Sequence, residues 1–338
     1  MRRGAAAYEY DPPRLPPSAA HPVTDPVSRR DLLRTAAALG AALALPAPLR
    51  ACARPARGEA RAGATPVSDP DRDRLAAWVA ALRARGAARS AAPLGRDAAR
   101  VGELAVGTPY EAFTLEAYLK AGGSPSRTEP LTLSLTRFDC VSLVEACLAV
   151  ARVARGDGEP AWVRFAREME RMRYRGGERG TYATRLHYFS EWIADGERRG
   201  LVRDLGAELG GEEDARPLRF MSEHRGSYPA LADDGVLREI AAMERSLDGR
   251  PRRVIPTARI PEVSDRIETG DVLAFATAIP GLDVTHAAFA YRDAGGVLRV
   301  LHAPLSGGAV EVTRATLPEY VAAIRRATGI LVARPLPA

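Results

Sequence analysis

The chain has 338 residues, 46% hydrophobic and 27% charged, a globular composition with enough material for a sizeable core in one large domain or two ordinary ones. Its net charge of +6 suggests a nucleic-acid surface only until the charges are located: residues 1–63 hold ten arginines against five acids (Glu9, Asp11, Asp25, Asp31, Glu59), so five of the six net charges lie there. The rest is nearly neutral, and Lys120 is the one lysine among 48 basic residues, so the arginine content reflects coding bias as much as phosphate contacts and a nucleic-acid partner is not supported.

The leader explains its own charge. SRRDLLR at 28–34 precedes the Ala/Leu run TAAALGAALALPAPL at 35–49, which is too short and too weakly apolar for a membrane-spanning helix. Twin arginines followed by Leu32 and Leu33 resemble a twin-arginine export signal, which predicts an exported protein, periplasmic or membrane-anchored. LRAC at 49–52 resembles a lipoprotein signal, which would make Cys52 a lipidated N-terminus; cleavage after Ala53 or Ala62 is the alternative. Residues 1–63 are thus expected to be signal and linker, the Ala/Arg/Gly/Pro-rich linker running over 54–68, and 64–338 one domain.

The first helix is predicted from Ser68 onward, where Asp69-Pro70 supplies a cap and a first-turn proline and Leu75, Trp78, Val79 and Leu82 recur at helical spacing. A Gly/Pro/Ser/Thr-rich loop at 121–130 leads to RFDCVSLVEACLAVAR at 137–152. There Val141, Val144, Leu148 and Ala151 repeat as a buried helix that ends near Gly156. Residues 157–250 read as a mostly helical insertion in three pieces, around WVRFAREMERM, TRLHYFSEWIADGERRG and VLREIAAMERSL. The pattern then changes to short apolar runs, DVLAFATA at 271–278 and THAAFAYRDAGGVLRVLHAP at 285–304, which predict a small antiparallel sheet or partial barrel. Helices followed by strands around one core make the class α+β.

Cys140 is the residue this order leaves unexplained. Seven helical residues place Cys147 roughly 10 Å further along the axis, beyond the roughly 7 Å at which two Cα atoms can be bridged. An exported chain that keeps an unpaired thiol exposes it to oxidation. Asp139 is a good N-cap, so Cys140 falls in the first turn, where orphan N–H groups and the helix dipole are expected to lower its thiol pKa. Cys147, lacking that help, reads as a small core residue.

A nucleophile needs a base. Of five histidines, His21 lies in the leader and His187 and His224 in the helical middle, while His286 and His302 flank the predicted hairpin. A three- or five-residue loop centred on Ala294 would set His286 and His302 directly opposite each other, with Cβ atoms about 5 Å apart. The three residues together predict Cys140 attacking an amide carbonyl, His286 moving the proton to the leaving nitrogen and His302 holding its tautomer, with the Cys140 N–H and a nearby hydroxyl as oxyanion donors. A zinc site on the same three residues is the rival, without a CxxC or HExxH to support it; no cofactor or metal is expected.

GTPY (107–110), FDCVSLVE (138–145), RLHYFSEWI (185–193), FMSEH (220–224), GDVLAFAT (270–277), GLDVTHAAFA (281–290) and VLHAP (300–304) occur in that order. The set resembles the N-acetylmuramoyl-L-alanine amidase-like branch of the NlpC-type cysteine peptidases, over about residues 70–335. The resemblance implies a papain-like α+β fold and cleavage of the amide between muramic acid and L-Ala in peptidoglycan fragments, through a thioester acyl-enzyme. By position Cys140 matches the nucleophile, His286 the base and His302 the third polar residue. Tyr110 and Asp139 match active-site support, and Arg185, Ser222 and Asp283 lie in stretches that line or brace the groove. Ser142 stands where Thr is expected, and Ala287-Ala288 where Val-Gly is usual. A non-catalytic wall-binding lipoprotein and a stem-peptide endopeptidase are the alternatives on the same scaffold.

Overall fold

The computed structural model describes residues 69–87, 92–305 and 308–337. The export segment, Cys52, His21 and the 54–68 linker lie outside these described residues. Helix α1 (Pro70–Ala84) starts where the sequence predicts. The Asp69 carboxylate accepts from the Asp71 and Arg72 N–H groups, and Leu75, Trp78, Val79 and Leu82 are buried. After α2 (Leu94–Ala105) and the short α3 (Ala117–Lys120) comes α4 (Cys140–Arg155), in which every residue from Ser142 to Ala154 is buried. Its N-terminus is closed by a reciprocal box: Ser142 N–H donates to Asp139 Oδ1 at 2.7 Å and Asp139 N–H donates to Ser142 Oγ at 2.9 Å. Ser142 thus supplies the hydroxyl this position needs, which is why Ser serves in place of Thr.

The three expected helices of the middle segment are α5 (Trp162–Arg173), α6 (Phe189–Arg198) and α8 (Asp234–Ser246). Strands β1 (Val202–Asp204) and β2 (Glu212–Asp214) and the short α7 (Phe220–Glu223) lie between the last two and were not anticipated. Helix α6 begins later than the apolar pattern suggests, because Leu186 N–H donates to Arg173 O at 2.9 Å and Arg185 bridges Tyr174, which keeps 185–188 extended. The α7–α8 region carries a core of its own, built from Tyr182, Tyr188, Leu218, Met221, Leu231, Val236 and Ile240.

The remaining elements are β3 (Arg252–Pro256), α9 (Ile260–Val263), β4 (Val272–Thr277), β5 (Val284–Arg292), β6 (Leu298–His302), β7 (Glu311–Val312), α10 (Leu317–Ala323) and β8 (Ala327–Pro335). The sheet order is β2-β3-β8-β4-β5-β6-β7, every neighbour antiparallel, with β1 also pairing β8. The fold is therefore α+β, as the order of patterns implies. Side-chain alternation splits the strands between two cores: Val272, Ala274, Ala287, Phe289 and Leu301 pack with α1, α2 and α4, while Leu273, Phe275, Ala288, Val300 and Ile330 pack with α9 and α10. Each fully buried Leu, Val or Phe contributes about 1.5–3 kcal/mol. Helix α2 lies tight on the sheet because Gly95 meets the backbone of Gly270, itself at φ +90°; a Cβ on Gly95 would come within 2.5 Å of the Gly270 carbonyl oxygen.

One expectation is corrected here. Phe289 pairs with Leu301 and Arg292 with Leu298, so the loop is centred on Gly295, not on Ala294. The Asp293 carboxylate sets that centre by accepting from the Gly295 and Val297 N–H groups at 2.9 and 3.0 Å. His302 therefore falls level with Ala288, one diagonal step from His286 and on the same face, rather than directly opposite it.

Candidate active site

The capping box fixes Cys140 as the first residue of α4, beside the stretch of β5 that runs on past the end of β6. The sulfur is half-buried and lies among three backbone N–H groups, those of Ala287, Val141 and Cys140 itself. A cavity of about 130 Å³ opens on it, lined by two segments, Leu186, His187 and Phe189 on one hand and Leu282–Ala287, including His286, on the other. Cys140 and His286 thus face one space. Ser190 N–H donates to Asp283 Oδ2 at 2.8 Å where the two segments meet.

His286 Nε2 lies 2.8 Å from His302 Nδ1, the two rings being edge-on at 79°. Phe275 stacks on His286 at 5.6 Å, and the ring of Tyr320 on α10 stands against His302, its hydroxyl 3.4 Å from Nδ1. Diagonal neighbours on one face are close enough for rings to meet, so the shifted register preserves the contact. His302 is fully enclosed; its Nε2 faces Glu311 Oε1 at 3.6 Å, an electrostatic approach too long for a hydrogen bond. Glu311 is in turn held below the usual carboxylate range by His302 and Arg314.

Glu311 opposite Nε2 of His302 favours hydrogen on that nitrogen, the tautomer in which Nδ1 accepts and His286 Nε2–H is its donor. His286 Nδ1 is then a bare lone pair, the state a general base requires.

The thiol is not lowered. Burial first, and the Asp139 carboxylate second, push Cys140 up to about 12, against the opposing pull of the three N–H groups. The expectation of a stabilised thiolate is corrected on this ground: the same residue that caps the helix places a negative charge beside the sulfur. His286 is held well below the ordinary histidine range by burial and by His302. The resting pair is therefore a neutral thiol beside a neutral imidazole.

The other sequence-selected residues are distributed as follows. Tyr110 bridges Phe138 in parallel, with Glu111 N–H on Phe138 O and Tyr110 N–H on Gly308 O, both at 2.9 Å, which sets its segment alongside Asp139. Asp283 lines the cavity with its carboxylate buried and satisfied by Ser190 and by its neighbour Val284 N–H at 2.7 Å; burial raises its pKa. Arg185 is buried away from the cavity lining, paired with Glu116 and 3.8 Å from Glu129, its guanidinium 4.9 Å over the Tyr182 ring. Burial opposes its charge, but the two carboxylates outweigh that and raise its pKa. Ser222 donates to Glu244, which also accepts from Met221 N–H and Tyr188 Oη, so it anchors α7. His224 binds Phe220 O at 2.8 Å, outside the cavity lining. Cys147 is fully buried in the core. Among the described residues no three His, Cys, Asp or Glu side chains converge as a metal site.

Sequence reasoning missed Glu311 and Tyr320, which reach His302 from a two-residue strand and a short helix without distinctive spacing. It also placed His187 with the helical middle of the chain, whereas this residue lines the cavity beside Cys140.

Several comparisons bear on this site. The N-acetylmuramoyl-L-alanine amidase-like family matches residues 100–330, and the twin-arginine translocation signal family matches residues 26–46, which supports export. An N-acetylmuramoyl-L-alanine amidase from Bacteroides uniformis is similar at 30% identity and a TM-score of 0.65, over 72% of this chain and 98% of its own. A protein from Bacteroides fragilis described as a candidate xylanase is similar at 33% identity and a TM-score of 0.63, over 70% of this chain and 99% of its own. A Legionella pneumophila protein at 17% identity shares the fold, with a TM-score of 0.56 over 79% of this chain and 94% of its own. No curated protein matches the chain in sequence.

Proposed function

The chain belongs to the N-acetylmuramoyl-L-alanine amidase-like family, and from that premise we propose that it is an exported cysteine amidase of the NlpC-type, papain-like superfamily. Its reaction is hydrolysis of the amide between the lactyl group of N-acetylmuramic acid and L-Ala in peptidoglycan fragments, and its machinery is Cys140, His286 and His302. The observation that carries the reading is the 2.8 Å His286–His302 contact behind a cavity that also holds Cys140.

The reaction runs from the neutral pair. As Cys140 sulfur bonds to the carbonyl carbon, its proton passes to His286 Nδ1, and the developing imidazolium is held by His302 with Glu311 behind it. Charge on the carbonyl oxygen is met by the orphan N–H groups of the first turn of α4, with Tyr110 as the neighbouring hydroxyl. Collapse breaks the C–N bond as His286 returns the proton to nitrogen, releasing the peptide and leaving a muramoyl thioester. Water then attacks that thioester, giving a proton to His286; the C–S bond breaks and the thiol is restored.

A glycosidase reading, prompted by the Bacteroides fragilis neighbour, fits less well. Such chemistry takes two carboxylates roughly 5 to 9.5 Å apart, and Asp283, the one carboxylate lining the cavity, has both oxygens occupied by N–H donors. Incubation of the mature protein with a defined muramoyl-peptide, with products identified by mass, tests the proposal: free peptide and muramic acid carboxylate support it. Cleavage between sugars or within the stem would replace it with a glycosidase or an endopeptidase.

A further inference from the structure

Besides His286, a second histidine, His187, lines the same cavity. His187 precedes α6 in the extended stretch 185–188, and the backbone on either side of it is held, Leu186 N–H donating to Arg173 O at 2.9 Å and Trp192 N–H donating to Tyr188 O at 3.0 Å. Its Nε2 lies 2.8 Å from the carbonyl oxygen of Tyr182. A carbonyl can only accept, so Nε2 carries the proton and Nδ1 is a lone pair. That Nδ1 has no protein partner among the described residues and is not one of the enclosed polar atoms. The ring rests on Tyr182 at 4.5 Å, and Tyr182 is held beneath the guanidinium of Arg185. The buried Arg185–Glu116–Glu129 cluster thereby braces the platform that aims this histidine. Burial and the Arg185 charge keep His187 neutral, well below the usual histidine range.

We propose that His187 is a substrate-binding residue whose Nδ1 accepts the N–H of the scissile amide, so that the enzyme selects amides over esters at that bond. The inference rests on the substrate class proposed above. The chemistry makes the requirement specific. On forming the tetrahedral intermediate the nitrogen becomes pyramidal, and its lone pair must turn toward His286 to take the proton. An acceptor for the remaining N–H holds that orientation. A neutral imidazole does this without competing for the proton, whereas a charged one has no lone pair to offer. The role differs from that of His286, which exchanges a proton.

The test uses the full mature chain carrying Cys140→Ala, which binds without turnover, and two ligands: a muramoyl-L-alanyl peptide and its depsi analogue, in which lactate replaces L-Ala and an ester oxygen replaces the N–H. With His187 present the amide should bind about five- to tenfold more tightly, as expected for one neutral hydrogen bond, and His187→Ala should bind the two equally. An identical preference with and without His187, or equal weakening of both ligands, overturns the proposal. Failure of the amide ligand to bind at all overturns the substrate reading and this inference with it. A second readout needs no change at position 187: the ¹⁵N resonance of His187 Nδ1 should move on adding the amide and stay in place with the ester, and equal movement would contradict the assignment.

Discussion

His286 Nε2 and His302 Nδ1 lie 2.8 Å apart although their residues are a diagonal step away from facing each other across the hairpin. The consequence is that His302, with Glu311 beyond it, holds the ring of His286, which lines one cavity with Cys140.

If His286 is the base and His302 its orienting partner, the two substitutions differ in size. His286→Ala should lower kcat/KM by roughly 10²–10⁴-fold, the usual contribution of a positioned base, and His302→Ala should lower it less, because water can enter beside Tyr320 and hold the ring in part. Steady-state kinetics on a muramoyl-peptide checks the order, and the reverse order would mean that the two roles are exchanged.

The neutral resting pair has a pH signature. Because burial and His302 hold His286 well below the ordinary histidine value, the acid limb of kcat/KM should fall below pH 6.5 and the rate should be flat through neutrality. The same depression affects stability: the unfolded chain binds a proton near 6.5 that the folded chain refuses, so stability is fully present above that value and is lost as the pH falls below it. Parallel pH–rate and urea titrations check both statements; an acid limb above 6.5 would contradict the first.

A thiol pushed up to about 12 reacts slowly. Iodoacetamide should label Cys140 sluggishly at pH 7 and about tenfold faster per pH unit above it, following the thiolate fraction, while the enclosed Cys147 stays unmodified in the folded protein. Peptide mapping of the alkylated chain distinguishes this from a pH-independent rate, which would signal a preformed thiolate.

Arg185 stands between two carboxylates in the interior. Replacing it with methionine strands Glu116 and the more deeply buried Glu129, and should cost about 3–5 kcal/mol of unfolding free energy. Urea denaturation measures the loss; a change below about 1 kcal/mol would mean that the cluster carries no net charge to strand.

Much of this arrangement is legible along the chain. Asp69-Pro70 and Asp139 mark the starts of α1 and α4 because capping is local chemistry, and the apolar repeats after them name the buried faces. The shared face of His286 and His302 follows for any hairpin loop with an odd number of residues, as the observed 293–297 loop has. The register does not, since a loop sequence with two adjacent glycines admits more than one centre until the Asp293 carboxylate chooses. Strand β8, which lies between β3 and β4, follows α10 without a turn signal and went unread. The thiol was misjudged because helix dipole and cap are visible in sequence, whereas enclosure by β5 is a tertiary fact. His187 was hidden by an apolar pattern that reads as one helix; the backbone bonds of Leu186 and Arg185 interrupt it.

The central claim is a thioester on Cys140, and acid-quenched intact mass and peptide mapping during turnover of a muramoyl-peptide test it most directly. The account predicts a mass increment equal to the muramoyl moiety on the peptide containing Cys140, and no increment and no turnover in Cys140→Ala, whose folding free energy should stay within about 1 kcal/mol of the parent. Full turnover in that variant, or an increment on any other residue, would contradict it.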